Sequence, residues 1–291
     1  MPRASLDELV VSRVLAWYSA TGRDLPWRGG RATGWGVLVS EIMLQQTPVA
    51  RVEPVWREWM ARWPSAADLA GASQADAVRA WGRLGYPRRA VRLWECAATL
   101  VDRHGGEVPT GVDELLALPG VGEYTAAAVA SFAHGARAVV IDTNVKRVLA
   151  RVWSGVGGAP PGITTAERAL ANRIAPAEPA LASEWAVASM ELGALVCVAR
   201  SPHCDDCPIA DLCAWRAAGY PAAEASTRSR QAWHGTDRQV RGRILEVLRR
   251  ASGPVPVASV EGVGAEQFAR ALASLVADGL VTDRGDATFS L

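Results

Sequence analysis

The stretch Val112-Asp113-Glu114-Leu115-Leu116-Ala117-Leu118-Pro119-Gly120-Val121-Gly122-Glu123-Tyr124-Thr125-Ala126 decides how this chain is read. Two helical runs, Val112 to Ala117 and Glu123 to His134, flank Leu118-Pro119-Gly120-Val121-Gly122, so the segment reads as a helix–hairpin–helix. Gly120 and Gly122 let the backbone approach a ligand closely. Amides bared at a helix N-terminus suit a DNA phosphate, although an ordinary glycine-rich turn between helices has the same composition.

Outward from the hairpin, helical spacing prevails. Val49, Val52, Val55, Trp56, Trp59, Met60 and Trp63 make one apolar face, with Thr47 expected as its N-cap and Pro48 in its first turn. Another run follows Pro87 through Val91, Leu93, Trp94, Ala98 and Val101, and Thr110 is expected to cap the short helix before the hairpin. No strand-like alternation of more than a few residues precedes position 230, so the expected class is all-α. Residues 217–236 are rich in Ala, Ser, Pro and Gly and read as a linker. Beyond it come two helical patterns, on Val240, Ile244, Leu245 and Leu248 and on Phe268, Leu272, Leu275 and Val276, then a tight turn at Asp283-Arg284-Gly285-Asp286. Helices followed by a small hairpin predict a winged-helix-like module over 237–291. Its seven arginines are matched by seven acids, which favours a packing or partner-docking role over direct DNA reading, because phosphate neutralisation supplies most non-specific affinity.

The 291 residues allow two or three domains. A net charge of +1 announces no nucleic-acid partner for the whole molecule, so any such affinity must come from local patches. The opening residues mix charges among apolar ones and look like neither a secretory signal nor a membrane span. A cytoplasmic protein with no membrane partner is expected, and nothing in the sequence signals oligomerisation. In that reducing compartment Cys197, Cys204, Cys207 and Cys213 read as one set of four metal ligands rather than disulfides. Thiolate tetrads suit zinc and iron–sulfur clusters alike, and with all four positions filled by protein the centre would be structural. Cys96 reads as an inert core thiol.

Two carboxylates stand out. Asp142 in Ile141-Asp142-Thr143-Asn144-Val145 is placed to cap a helix, where free amides and the helix dipole favour its charged form. Glu41 is the one charged residue between Arg31 and Arg51. Burial in that apolar stretch would raise its pKa toward general-acid duty, while a solvated helix position would leave it idle.

With these features in hand, the chain resembles the MutY-type adenine DNA glycosylases of the helix–hairpin–helix (endonuclease III) superfamily. The resemblance covers roughly residues 5 to 216 and is carried by Leu25-Pro26-Trp27-Arg28, Ser40-Glu41-Ile42-Met43-Leu44-Gln45-Gln46-Thr47, Gly85-Tyr86, Leu118 to Ala126, Asp142 to Arg151 and the cysteine spacing. It implies a two-lobed helical fold: 1–30 with 136–216 as the iron–sulfur cluster lobe, 31–135 as a six-helix lobe holding the hairpin, then the linker and the winged-helix-like module. It also implies a 4Fe-4S cluster on the four cysteines, with Arg200 nearby to meet phosphate. The implied substrate is double-stranded DNA with a mispaired or oxidised base pair, acted on by a nucleoid-associated enzyme. Glu41 would protonate adenine at N7 and Asp142 would shelter the oxocarbenium-like sugar, with Tyr124 and Asn144 orienting them around the flipped nucleoside. Leu44, Gln45 and Gln46 would line the duplex and base pocket. Tyr86 would wedge beside the opposing base, while Arg83, Arg88, Arg89 and Arg92 would hold the backbone.

Glycosylases of this superfamily that also cut the strand use a lysine where this chain has Tyr124. The chain's one lysine, Lys146, is expected to meet phosphate or solvent, so the expected enzyme is monofunctional and leaves an abasic site. Two departures from the family pattern stand out: Pro87 follows Tyr86 where a second aromatic is usual, and the tail has no counterpart of the family's Nudix-like domain. A mismatch thymine or uracil glycosylase on the same scaffold is the rival enzyme, and a non-catalytic DNA-binding iron–sulfur sensor the rival outside enzymes.

Overall fold

The computed structural model describes residues 5–158, 162–222, 233–256 and 262–291. In chain order the helices are α1 (Leu6–Thr21), α2 (Gly34–Leu44), α3 (Val49–Arg62), α4 (Ala66–Ala70), α5 (Gln74–Trp81), α6 (Arg88–His104), α7 (Val112–Leu116), α8 (Glu123–His134), α9 (Thr143–Ser154), α10 (Thr165–Ile174), α11 (Pro179–Leu195), α12 (Ala214–Ala217), α13 (Asp237–Arg250) and α14 (Ala265–Ala277). The strands β1 (Val255–Pro256), β2 (Thr282–Gly285) and β3 (Thr288–Ser290) lie, among the described residues, only in the tail. The fold is mostly helical, as the spacing predicted. Ser5 with Glu8, Ser65 with Asp68 and Thr164 with Glu167 close reciprocal capping boxes, each satisfying two backbone donors that the helix start leaves open.

Two expected caps differ. The cap residue of α3 is Pro48, because the Thr47 hydroxyl is used elsewhere: it accepts from Arg89 Nη2 at 2.9 Å and donates to the Leu84 carbonyl at 3.3 Å. The short helix α7 starts from extended Gly111, with no side-chain cap, instead of from Thr110.

The chain divides into two compact units. One holds residues 1–38, 109–117 and 121–227, the other 39–108, 118–120 and 228–291. In the first, α1, α9 and α11 pack on Val10, Val14, Val145, Val148, Leu149, Trp185 and Leu192. Gly193 lets α9 and α11 approach closely: a Cβ there would stand 2.7 Å from the Asn144 Cβ. The same unit buries Glu191 of α11 completely, against Arg23 Nε at 2.7 Å and Arg28 Nη2 at 2.9 Å, and this ties the Leu25-Pro26-Trp27-Arg28 segment to the middle of α11.

In the second unit Trp59 meets Trp63 and Trp81 edge to face at 4.9 and 5.7 Å, within a core that includes Leu69, Leu93 and Leu100. Each such side chain contributes roughly 1.5–3 kcal/mol through burial. The tail joins this unit, with α13 packed on α14 and a three-stranded antiparallel sheet ordered β1-β3-β2. The expected helices and final hairpin are therefore present. The two-residue β1 gives no alternation to read, and its Pro256 fits the edge position it occupies. Of the expected linker, 223–232 lie outside the described residues.

Candidate active site and cluster loop

In the first unit Asp142 is the N-cap of α9. Its Oδ1 accepts from the Asn144 amide at 2.9 Å and the Val145 amide at 2.7 Å, and its Oδ2 accepts from Asn144 Nδ2 at 2.7 Å. The Asn144 side chain is itself held by Arg147, whose Nη2 donates to Asn144 Oδ1 at 2.7 Å and to the Gly193 carbonyl at 2.6 Å. The carboxylate is thus fixed through Asn144 and Arg147, with Gly193 supplying the space. The expected electrostatics need correction. Burial raises the Asp142 pKa and outweighs the hydrogen bonds from Val145 and Asn144 and the charge of Arg147, all of which lower it. The cap geometry alone had pointed the other way. Tyr124, on the first turn of α8, is half-buried and its hydroxyl lies 3.9 Å from Met190 Sδ.

Arg147 and Arg151, one turn apart on α9, grip the cysteine loop. Arg147 Nε donates to the Cys197 carbonyl at 2.6 Å. Arg151 donates to the Val198 carbonyl at 2.9 Å, lies 3.3 Å from Cys197 Sγ and stacks over Trp215 with 4.4 Å to the ring centroid. Cys197, Cys204, Cys207 and Cys213 line one cavity with Val148, Ile209 and Trp215. Among the described residues no three His, Cys, Asp or Glu donors are gathered as they would be around a single metal ion. The four thiols nonetheless line one cavity, a closed all-protein donor set of the kind that zinc and iron–sulfur clusters both accept. Burial pushes the Cys207 thiol up to about 11, and bound iron is what would keep it a thiolate. Arg200, close after this tetrad's first member, is exposed. Cys96 is fully buried, its thiol pushed up to about 12 by that burial, as expected of an inert core residue.

Lys146 departs from its expected place at phosphate or solvent. It is 8% exposed, donates to the Gly162 carbonyl and pairs with Glu167 at 3.3 Å.

In the second unit Glu41 lies on the last turns of α2, 5% exposed between Ser40 and Ile42, so the buried reading of this carboxyl holds over the solvated one. At the end of α2 the chain presents half-buried Leu44, then half-buried Gln45 and exposed Gln46, whose φ of 56° puts a non-glycine residue in the left-handed region. Tyr86 does the same at φ 48° and is 45% exposed. Such positions cost of order 1 kcal/mol or more and persist where the surroundings enforce them.

Arg89 is the enforcer here. Its guanidinium donates to the carbonyls of Ile42 at 3.0 Å, Met43 at 2.9 Å and Gly85 at 3.0 Å, to that of Gln45, and to Thr47 Oγ1. It also stacks 5.5 Å from the Tyr86 ring centroid. It satisfies the carbonyls that α2 leaves open at its end, and burial pulls its pKa down to about 10. The expectation that Arg89 holds the DNA backbone is corrected: its Nη1 and Nη2 are spent on the protein and its Nε is buried. Arg88 is exposed, facing Asp278 at 3.4 Å. Gly120 has φ 80° and would set a Cβ 2.9 Å from that of Arg92, so only glycine fits. Gly122, the N-cap of α8, has nothing within 4 Å of where a Cβ would be, leaving room for a close backbone approach.

Residues 39–173 match the family model of the HhH-GPD superfamily base excision DNA repair protein, and 197–213 match the iron–sulfur binding domain of endonuclease III. An adenine DNA glycosylase of Mycobacterium tuberculosis is 50% identical over 283 residues, covering 96% of this chain and 92% of its own. A thermostable thymine-DNA glycosylase structure aligns with TM-score 0.66 at 28% identity, over 73% of this chain and 97% of that one. An endonuclease III–DNA covalent intermediate aligns with TM-score 0.62 at 23% identity, over 75% of this chain and 100% of that one. The matched iron–sulfur binding domain contains Cys197, Cys204, Cys207 and Cys213, in keeping with a 4Fe-4S cofactor.

Proposed function

The chain belongs to the adenine DNA glycosylase family of the HhH-GPD superfamily of base-excision repair proteins, and from that membership we propose that it excises adenine mispaired with 8-oxoguanine or guanine in double-stranded DNA. The observation that carries this reading is the 50% identity over 96% of the chain.

Glu41, buried in α2, delivers a proton to N7 of the extruded adenine. The C1′–N9 bond then breaks, neutral adenine leaves with the bonding pair on N9, and water adds to C1′ to give an abasic site while its released proton returns to the Glu41 carboxylate or to solvent. Asp142 lends its charge to the cationic sugar during bond breaking, held in place by Asn144, while Tyr124 helps to exclude water. Leu44, Gln45 and Gln46 fill the space the base vacates, and Gly120, Gly122 and Arg200 meet phosphates. The cluster acts as a structural brace for the loop that Arg147 and Arg151 hold.

The reaction stops at the abasic site. Lys146, the sole lysine, is buried against Glu167, and no other side-chain amine exists to form a Schiff base. In this reading 1–30 with 136–216 form the cluster lobe, 31–135 the hairpin lobe and 237–291 the tail module of a monomeric, cytoplasmic, nucleoid-associated enzyme. Among the described residues no helix is long and apolar enough to cross a membrane.

Single-turnover incubation with duplexes carrying A opposite 8-oxoguanine, A opposite G, T opposite G or U opposite G tests the proposal. Adenine release followed by strand breakage only after alkali is expected. Release of thymine or uracil alone would support the rival mismatch enzyme, and no release at all the non-catalytic sensor. Glu41→Gln is expected to abolish release with duplex binding retained, so near-normal turnover in that variant would remove Glu41 as the acid.

A further inference from the structure

The tail and the Gln46 and Tyr86 loops enclose a cavity of about 830 Å³ within the second unit. Seven arginines line it: Arg51 of α3, Arg83 from the loop before Tyr86, Arg88 at the start of α6, and Arg238, Arg241, Arg243 and Arg249 from α13. Glu246 is the one acidic residue in that lining, and Asp278, outside it, pairs with Arg88 and Arg241. Charge balance over the whole tail conceals this, because Arg238, Arg241, Arg243 and Arg249 of α13 all reach the cavity, with Leu245 in its lining, while buried Val240, Ile244 and Leu248 lie outside it. Arg238, exposed, lies between two rings, 5.0 Å from the Tyr86 centroid and 5.3 Å from that of Trp233, and its Nη2 meets the Tyr86 hydroxyl at 3.1 Å. Arg249 is held below its ordinary pKa by burial, and its Nε has no hydrogen-bond partner.

Glu246 pairs with Arg83 and Asp278 with Arg88 and Arg241, so seven guanidiniums meet two carboxylates, and the surplus positive charge around one open space favours an incoming anion. The space exceeds what a single phosphate needs, and its aromatic flank offers faces for planar groups.

We propose that the tail module is a DNA-backbone clamp: its arginine-lined cleft binds a stretch of sugar–phosphate backbone of the duplex whose adenine is excised, and Arg238 couples that grip to Tyr86. This rests on the glycosylase reading and assigns the tail the contact that its neutral composition had argued against. Arg238 is exposed and Arg243 half-buried, neither among the buried core residues, so both are exchanged for glutamine in the full-length, cluster-loaded protein.

Binding of a fluorescent duplex containing A opposite G is measured across a salt series by anisotropy, and single-turnover adenine release is followed in the same preparations. Each lost phosphate contact flattens the slope of log K against log salt by about 0.9. Arg238→Gln with Arg243→Gln should therefore reduce that slope by about two and weaken binding tenfold or more. The Arg→Lys pair, which keeps both charges, should retain the slope. A wild-type slope in the glutamine variant would overturn the clamp, and so would an equal loss of slope in the lysine variant, which would mark lost structure instead of lost charge. Wild-type protein that binds duplex through these arginines yet releases no adenine would sink the glycosylase reading alone, whereas intact adenine release with an unchanged slope would sink the clamp alone.

Discussion

Replacing Glu191 by glutamine should destabilise the protein in a way that disappears as the solution is acidified. The carboxylate is fully buried, and burial by itself would raise its pKa. Hydrogen bonds and charge from Arg23 and Arg28 overcome that and hold it at about 2, against an ordinary 4.5. A depression of this size corresponds to about 3 kcal/mol favouring the ionised, folded form. Because the folded-state pKa is lowered, the contribution is complete above about pH 5 and drains away as the pH falls from the unfolded value toward the folded one. The wild type should lose about 1 kcal/mol of it by pH 4 and about 2 kcal/mol by pH 3. Glu191→Gln has no such proton to take up, so its stability deficit, about 3 kcal/mol at pH 7, should narrow along that course. Urea unfolding of both proteins, followed by tryptophan fluorescence from pH 7 to pH 3 with iron content checked at each step, reads the difference directly. A deficit that stays constant across the range would refute the assignment, since it would then reflect lost packing and not a charge held between two guanidiniums.

Three other expectations follow from the same geometry. Gly193→Ala should cost about 1–3 kcal/mol by overpacking and slow adenine release, because its new methyl would meet Asn144 at 2.7 Å and shift the cap that holds Asp142; melting and single-turnover rates check both. Arg89→Ala should weaken duplex binding severalfold although the residue reaches no phosphate, since Gln45, Gln46 and Tyr86 lose their anchor; unaltered binding with normal folding would deny it that role. Asp142 must be ionised to shelter the cationic sugar, so its burial-raised pKa should place the acid-side fall in rate at a higher pH than an ordinary aspartate would give, visible in a pH profile of single-turnover rates.

What could be read in advance, and what could not, divides along the range of the interactions. Asp142 capping α9, the Gly120 turn and the cysteine spacing are settled by residues a few positions apart, and a linear reading reaches them. Glu41 became legible through the uncharged run around it. The errors fall on long-range partners. Arg89 and Lys146 looked like phosphate ligands because a neighbour-by-neighbour count sees an unpaired cation, but Arg89 is spent on carbonyls more than forty positions earlier and Lys146 on Glu167. Glu191 drew no notice, since its partners lie at the opposite end of the first unit's sequence. Gly193 carried a faint signal, a glycine inside a helix that costs about 1 kcal/mol against alanine and so asks for a packing reason, but only the fold identifies Asn144 as that reason. The tail illustrates a different failure, one of averaging. Summed over 237–291, arginines and acids cancel, and a neutral module followed. Placed on a helix, Arg238, Arg241 and Arg249 share one edge with Leu245 at intervals of three and four, so the period brings together cations that the sum cancels. A surface that binds an anion needs charge on one side only, so the moment of the charge along α13 carried the information that its total did not.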